Sequence, residues 1–527
     1  MKTSLALRAT LLSAALAGCS LAPHYERPAP PVAANFTGGE ANVPGSAQTT
    51  ATADIGWRDF LGDPQLQRLV ELALQNNRDL RVAVINVEAA AAQYRIQRAA
   101  LLPTLDLGAS GTRARTPASL SVTGRPEVGG DYSVGPSASW EIDLFGRVKS
   151  LSDAALATYF ATAEARRAAE ISLVSGVAQQ YLTLRADDEQ LDITRETLKT
   201  SGESYRIAKL QFDNGVGSEL DLREAETVVE QAQSNLAAQL RARAQAVNYL
   251  TLLVGEPLPT NLPPALSLDD QRTLADIPAG LPSELLTRRP DILQAEDQLK
   301  AYNADIGAAR AAFFPSISLT GDFGTASSML SGLFKAGSAA WSFGPSISLP
   351  IFRGGENIAN LKLAEAQKQI AVAQYEKAIQ TAFREVSDSL AGRSTYDEQI
   401  TSLEEYVHAQ QRRLDLSTLR YKSGVDSYLS VLTAQTDLYS AQQILINTRL
   451  SRLTNLVGLY QQLGGGWIAR TGDAPRPGDA PGAAADGTSG VAPGTASVPA
   501  FQPQPADSAP VVVPETVPAA ASGAAAS

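Results

Sequence analysis

The chain has 527 residues, a formal net charge of −11 and a single cysteine, Cys19. The acidic balance argues against a nucleic-acid-binding protein, which needs a basic surface, and one cysteine excludes an intrachain disulfide bond. A chain of this length holds several domains or one architecture built twice.

The N-terminus has the pattern of a secretory signal. A short basic segment precedes an apolar run at 9–17, and the sequence LAGC follows at 16–19. This end of the signal resembles the lipobox of bacterial lipoproteins, which makes Cys19 the lipidated first residue after removal of residues 1–18. The alternative is an ordinary signal with an incidental cysteine. Several acyl chains would anchor the protein firmly to a membrane.

An extended leader and a helix come next. Residues 19–55 are rich in proline, alanine, glycine and threonine, which is typical of an extended leader. Asp63 followed by Pro64 predicts a helix start with Asp63 as its cap. The alanine-rich helical pattern then continues to Leu102, where Pro103 ends it.

Four short segments alternate between apolar and small polar residues with the period of two of a β-strand. In YSVGPSASWEID (132–143), every second residue is apolar. About nine to eleven tilted residues cross the hydrocarbon layer of a membrane, so these segments have the length of transmembrane strands. A single such segment is equally compatible with a half-buried strand of a soluble sheet. The predicted strands span about 104–111, 131–143, 315–324 and 340–351.

The sequence is internally duplicated, which decides between these alternatives. Gly-Pro-Ser occurs at 135–137 and again at 344–346, a shift of 344 minus 135, or 209 residues. FDNGV (212–216) and YKSGV (421–425) are related by the same shift. The predicted domains are a signal peptide (1–18), an extended leader (19–55), a first repeat (56–255), a linker (256–281), a second repeat (282–466) and a disordered tail rich in proline, alanine and glycine (467–527).

Each repeat contains a long helical hairpin. Helical patterns cover about 146–254 and 356–463, with glycine-containing turns near 215 and 424. Sixty residues of helix extend roughly 90 Å, too long for a compact domain, so the hairpins are predicted to project from the membrane. The return helices carry apolar residues at coiled-coil spacings: Leu236, Leu240, Val247, Leu250 and Val254 in the first, and Ile446, Leu450, Leu453, Val457 and Tyr460 in the second.

Four strands cannot span a membrane alone, because open sheet edges leave unpaired backbone groups in hydrocarbon. Two chains of four strands give an eight-stranded barrel filled by its own side chains, whereas three chains give twelve strands around a lumen. The predicted fold class is an α+β membrane protein: a homotrimer whose 12-stranded transmembrane β-barrel, with four strands per chain, is continued by a long periplasmic α-helical barrel. A secreted, anchored chain with such strands indicates the bacterial outer membrane.

The motifs resemble those of the TolC-type outer-membrane efflux proteins, and more closely the lipoprotein subfamily that serves resistance-nodulation-division pumps. The resemblance covers about residues 17–466, whereas the tail departs from the family pattern. It is carried by WRDFLGDPQL (57–66), LPSELLTRRPDI (281–292), the Gly-Pro-Ser strands, FDNGVGSELDL (212–222) and YKSGVDSYLSVL (421–432).

The resemblance implies an exit duct for drugs, dyes, detergents or metals. Its implied partners are a periplasmic adaptor (membrane fusion) protein and an inner-membrane resistance-nodulation-division pump, together with outer-membrane lipid. The turns between the long helices would dock the adaptor: Asn214, Gly215, Val216, Gly217 and Ser218, and Ser423, Gly424, Val425, Asp426 and Ser427. The glycines permit a tight reversal, and Ser218 and Ser427 suit helix capping. The alternative is that these residues only form turns.

The resemblance also implies that the hairpin of the second repeat closes the tip at rest. Charge pairs between copies are one way to hold such a gate shut, and a solvated helix face is the alternative. The gate candidates are Asp415, Arg420, Tyr421 and Asp426. The RRPD sequence at 288–291 is expected to hold the linker against the helices rather than to bind a substrate.

No enzyme is indicated. His24 and His408 are the only histidines, and neither belongs to a catalytic or metal-binding cluster. No cofactor is therefore expected, apart from covalent lipid on Cys19. The rival hypothesis is a lipid-anchored, elongated helical scaffold protein without a pore, which would explain the signal and the hairpins but not the four strands.

Overall fold

The computed structural model describes residues 20–33, 36, 51–122, 124–271, 277 and 282–473. The predicted signal peptide, Cys19 and most of the predicted tail lie outside the described residues, as do parts of the leader and the linker. The helices are α1 (Trp57–Phe60), α2 (Pro64–Asn76), α3 (Arg78–Ala99), α4 (Arg147–Asp213), α5 (Glu219–Val254), α6 (Pro282–Arg288), α7 (Pro290–Ala311), α8 (Glu356–Lys422) and α9 (Tyr428–Gln462), and the strands are β1 (Thr104–Thr116), β2 (Glu127–Ile142), β3 (Ser316–Ser327) and β4 (Ala339–Ser348).

The order of the elements confirms the predicted two-fold repeat. A helix, two strands, a long helix and a return helix follow one another as α3, β1, β2, α4 and α5, and again as α7, β3, β4, α8 and α9. Both α4 and α8 contain 67 residues, which corresponds to about 100 Å of helix. Gly146 and Gly355 precede them with φ angles of 70° and 89°. Since these angles strain other residues, the reversal from strand to helix depends on glycine.

The single helix expected between Asp63 and Leu102 is divided in two at Asn77. Its start is as predicted, because Asp63 Oδ1 accepts hydrogen bonds from the backbone N–H groups of Gln65 (2.8 Å) and Leu66 (3.3 Å). At Asn77 the backbone is extended and the side chain caps α3. The Asn77 amide also donates to the carbonyl oxygen of Leu253 at 2.9 Å. A local cap thus starts α3, and a long-range contact fixes the break between the two helices.

The helical segment that precedes β3 is likewise divided. Arg289 has an extended backbone between α6 and α7. The cause is Pro290, since the residue before a proline is displaced from the helical region and proline is favoured in the first turn of a new helix.

The four strands form one antiparallel sheet in the order β1-β2-β3-β4. β1 and β2 extend further toward their connecting turn than predicted, to Thr116 and from Glu127. Arginines and glycines interrupt the apolar pattern there, although the backbone pairing continues. Conversely, β4 ends at Ser348, three residues before the predicted end, because Pro350 lacks the N–H group needed to pair.

The register places the large apolar residues of the four strands on one face of the sheet. Leu107 lies opposite Pro136, and Ile317 lies opposite both Ile142 and Ile347. Directly opposed residues in an antiparallel pair share a face. Over the part of the sheet nearest the helices, one face is therefore apolar and the other carries mostly serine, threonine, glycine and aspartate.

The buried core lies where the helix ends meet. Phe60 stacks on Tyr460 with ring centroids 4.1 Å apart, and Tyr460 Oη donates to the carbonyl oxygen of Ile55 at 2.6 Å. In the first predicted coiled-coil seam, Leu250 and Val254 are buried in this region, whereas Leu240 is exposed. In the second seam, every residue except Leu450 is buried there. The seams thus serve a shared core near the helix ends more than a continuous coiled coil.

The RRPD sequence is a structural junction, as expected. The buried Arg289 guanidinium binds Asp291 and donates to Glu385 Oε2 in α8 (2.6 Å) and to the carbonyl oxygen of Gln462 in α9 (3.2 Å). Burial acts to lower the pKa of Arg289, but its two ion pairs outweigh burial and raise it. Arg288 Nη1 binds Asp54 Oδ2 at 2.6 Å.

Arg289→Ala is expected to lower the free energy of unfolding by about 2–3 kcal/mol. This is below the usual cost of breaking a buried pair, because the carboxylates left behind are partly exposed. The measurement is denaturant unfolding of the purified protein followed by circular dichroism. The adjacent Arg288→Ala removes an ion pair of which both members are about two-fifths exposed, so this control should cost less than about 1 kcal/mol. Equal losses would contradict the junction.

Candidate functional site

The polar face of the sheet carries carboxylates and hydroxyls in register. Asp106 lies opposite Ser137, Ser137 lies opposite Asp322, and Asp322 lies opposite Ser342. Ser342 Oγ donates to Asp322 Oδ2 at 2.9 Å. This row crosses all four strands and presents negative charge and hydrogen-bonding groups, which suit contact with water.

The opposite face is apolar and exposed. Leu107 is 82% exposed and Trp341 is 77% exposed, and Phe323 lies opposite Trp341 on the same face. An exposed apolar face of this extent needs a nonaqueous neighbour. Aromatic residues near its ends match the interfacial girdles of transmembrane strands.

Both edges of the sheet are open. Within the described part of the chain, β1 pairs with β2 alone and β4 pairs with β3 alone. The adjoining helices contact one another in the same order, α3-α4-α7-α8. At one margin α3 buries only Leu80, whereas the corresponding α7 in the interior buries ten residues. The chain is therefore incomplete at two matching margins.

The N-terminal leader runs along α7 and away from the sheet. Arg310 Nη1, near the end of α7 that leads into β3, donates to the carbonyl oxygen of Leu21 at 3.3 Å. Gly307 leaves room for this backbone, since a Cβ there would lie 2.8 Å from the Ala22 nitrogen. Further along, Arg27 forms two hydrogen bonds to the buried Glu296, at 2.9 and 2.7 Å. Leu21, two residues after Cys19, therefore lies at the sheet end of the helices.

The two predicted docking turns lie at the far ends of the hairpins and have the same backbone geometry. Gly215 and Gly424 have φ angles of 73° and 68°, which favour glycine. Ser218 Oγ accepts the hydrogen bond from the Asp221 N–H at 3.1 Å, as a helix cap should. Ser427 likewise occupies the cap position of α9 with an extended backbone, but its side chain makes no cap hydrogen bond.

The turns also share a set of exposed apolar residues. Val216 is 80% exposed and its counterpart Val425 is 62% exposed. The members of this set match in pairs at the repeat spacing of 209 residues: Ile207 and Leu416, Leu210 and Leu419, Val216 and Val425, and Leu220 and Leu429.

The gate candidates make contacts within one chain. Arg420 binds Asp426 across the second turn at 2.6 and 2.9 Å, so for these two residues the charge pairing expected between copies is an intrachain pair. That hydrogen bonding lowers the pKa of the Asp426 carboxyl. Asp415 accepts a hydrogen bond from Gln411 on its own helix at 3.2 Å.

Sequence reasoning missed the partner of Tyr421. Its Oη donates to Gln211 Oε1 at 3.1 Å and so joins the two turns. Gln211 is the repeat counterpart of Arg420, and Gly217 is the counterpart of Asp426, each at a spacing of 209 residues. A comparison of the repeats could have shown that the first turn lacks the ion pair, which leaves Gln211 available to Tyr421.

The described residues contain no group of three or more His, Cys, Asp or Glu residues suited to a metal ion. None of their helices combines the length and apolarity needed to cross a membrane.

A sheet with one apolar and one polar face, open at both edges and continued by long hairpins, defines a subunit of a membrane channel. The family model described as outer membrane efflux protein matches residues 69–256 and 281–465. The chain belongs to this family.

Individual relatives agree with this assignment. The chain is 50% identical over 461 residues to the probable efflux pump outer membrane protein TtgC of Pseudomonas putida, covering 87% of this chain and 95% of the relative. It is 47% identical over 467 residues to the outer membrane protein OprJ of Pseudomonas aeruginosa, covering 88% and 97%. The open-state MtrE outer membrane channel of Neisseria gonorrhoeae has a TM-score of 0.78 and 42% identity, covering 86% of this chain and all of MtrE.

These findings confirm the predicted fold class and the outer-membrane location. The sheet is one chain's share of the β-barrel of a trimeric channel, and the hairpins form its periplasmic helical extension. The polar face of the sheet therefore lines the lumen, and the apolar face contacts lipid.

Proposed function

We propose that the protein is the passive outer-membrane exit duct of a tripartite efflux system. The observation that carries this proposal is the pair of matching margins, β1 with α3 and β4 with α8. Three copies joined margin to margin pair every strand edge and enclose a lumen lined by the Asp106 row, whereas two copies give a barrel that side chains fill. The chain then conducts solutes without chemical change and has no catalytic step.

The proposed partners are a periplasmic adaptor and an inner-membrane pump. Relatives are named as outer membrane proteins of toluene and antibiotic efflux pumps, which supports organic solvents or antibiotics as the class of cargo. The exposed apolar residues around both turns supply the adaptor contact, since hydrophobic anchors carry much of the energy of protein interfaces.

The lipid anchor on Cys19 completes the proposed assembly. Support comes from the leader, because Leu21 is held beside Arg310 where α7 enters the barrel. Acyl chains on Cys19 would therefore start close to the membrane, with no long tether between anchor and tube.

The purified full-length chain is expected to be a trimer with an acylated Cys19 and to conduct ions in planar bilayers. Light scattering, intact-mass spectrometry and single-channel recording check these three properties on one sample. A monomer that inserts without conducting would contradict the proposed duct and favour the scaffold protein without a pore. An unmodified Cys19 would contradict only the proposed lipid anchor and would leave the proposed duct in place.

Val216→Asp combined with Val425→Asp is expected to weaken adaptor binding roughly tenfold or more, because each places a charge in an apolar contact. Cells carrying this variant should accumulate the cargo, while single-channel conductance stays unchanged. Val122→Asp is the matched control, since this valine is fully exposed in the turn between β1 and β2, at the opposite end of the molecule. Normal export by the double variant would contradict docking at the turns.

We further propose that the contacts of Asp415, Arg420, Tyr421 and Asp426 hold the tip closed. Tyr421→Phe removes the link to Gln211, and Arg420→Ala releases Asp426, so each variant should raise the resting conductance by roughly twofold or more. The control is Arg223→Ala, which removes an exposed arginine that is paired with two carboxylates. This variant should leave the resting conductance unchanged. Unaltered conductance in the first two variants would remove these residues from the gate.

The ion pair of Arg420 and Asp426 also determines how the resting conductance should depend on pH. Because Arg420 lowers the folded-state pKa of Asp426, the pair is fully present above the ordinary aspartate pKa of about 3.9 and is lost as pH falls through the lower folded value. Resting conductance recorded between pH 8 and pH 5 should therefore show no change that depends on Asp426.

A further inference from the structure

Charge is divided between the two faces of the sheet at the end farthest from the helices. Arg113 and Arg115 occupy the positions of β1 that continue the apolar face of Leu105 and Leu107. They lie opposite Gly130 and Val128. Two cationic side chains therefore stand on the face of the barrel that contacts lipid.

The acidic residues of the same strands lie on the other face. Glu127 lies opposite Thr116 and Asp131 lies opposite Thr112, both on the lumen side. Asp106 and Glu141, the other carboxylates of β1 and β2, have lumen positions as well. Neighbouring carboxylates therefore do not neutralise the arginines from the lipid face.

The depth of Arg113 follows from the register. Gly111 lies opposite Tyr132, and the Tyr132 ring covers it, with Cδ1 2.8 Å from the position of a Cβ at Gly111. Tyrosines of this kind mark the boundary between hydrocarbon and headgroups. Arg113 is the next residue outward on this face, about 7 Å along the strand, and Arg115 is about 7 Å further. Both guanidinium groups thus lie at headgroup depth.

Both side chains are exposed, and neither forms an ion pair within the residues that the structure describes. The helices continue from the opposite end of the sheet into the periplasm, so the arginines meet the outer leaflet. A guanidinium fork matches the oxygens of a phosphate and binds it more strongly than it binds neutral acceptors.

We propose that Arg113 and Arg115 bind the phosphate groups of the phosphorylated glycolipid in the outer leaflet. A trimer presents three such pairs around the outer rim of the barrel, and bound lipid fixes the depth of the barrel in the membrane. The proposal concerns the lipid face alone and rests on the orientation of the proposed duct.

The test measures lipid retained by the purified trimer in detergent, using native mass spectrometry. The probes are lipid A carrying both phosphates and the same lipid after enzymatic removal of its phosphates. Wild-type protein should retain the phosphorylated form, and Arg113→Gln with Arg115→Gln should weaken that binding roughly tenfold or more. The Arg→Lys double variant keeps the charge and should retain most of the binding.

Arg195→Gln with Arg206→Gln is the matched control, because it removes two exposed arginines from the periplasmic helix α4. It should leave lipid binding unchanged. Equal retention of both lipids by the wild type, or undiminished binding by the Gln variant, would overturn the proposal. Displacement of the lipid by millimolar inorganic phosphate would also overturn it, since the site would then accept any phosphate anion. Conductance of the Gln variant is recorded in parallel and reports separately on the duct.

Discussion

The unpaired backbone at the margins of the sheet constrains the whole molecule. In hydrocarbon, each N–H or C=O group without a partner costs several kcal/mol, and β1 and β4 each expose a row of them. The same two margins continue into the helices, where α3 leaves Val82, Ile85 and Ile96 exposed. One operation, the joining of identical copies, therefore satisfies the backbone in the membrane and the apolar helix face outside it. This shared requirement ties the barrel to the tube and makes assembly a condition for the fold.

Duplication produced two similar hairpins that have since diverged at a few contact positions. The exposed apolar residues kept their spacing in both turns, which suits a partner that meets two similar surfaces. The ion pair of Arg420 and Asp426 occurs in the second turn only, and Gln211 and Gly217 replace it in the first. In the first turn, Gln211 instead accepts a hydrogen bond from the Tyr421 hydroxyl. The same backbone geometry thus carries two similar apolar surfaces and an asymmetric link between the hairpins.

Patterns that depend on periodicity could be predicted from the sequence. The strands, both long hairpins and the polar and apolar faces follow from local alternation, which the register then confirms. Features that depend on distant partners could not be predicted. The break at Asn77 needs Leu253, and the link from Tyr421 joins residues that are 210 positions apart. The outer ends of β1 and β2 were missed for a different reason, since charged and glycine residues there obscure the alternation.

At the outer ends of β1 and β2, the two faces of the sheet carry opposite charges. A strand that leaves the hydrocarbon layer no longer needs apolar residues, but it still pairs and still alternates. Arg113 is therefore assigned to the lipid face by the same register that assigns Asp131 to the lumen. Had both residues faced the lumen, they would neutralise each other and reduce the negative charge of the lining. Their separation keeps the lumen acidic beyond the Asp106 row and leaves the cationic groups to the one neighbour at that depth that carries anions, the lipid headgroups.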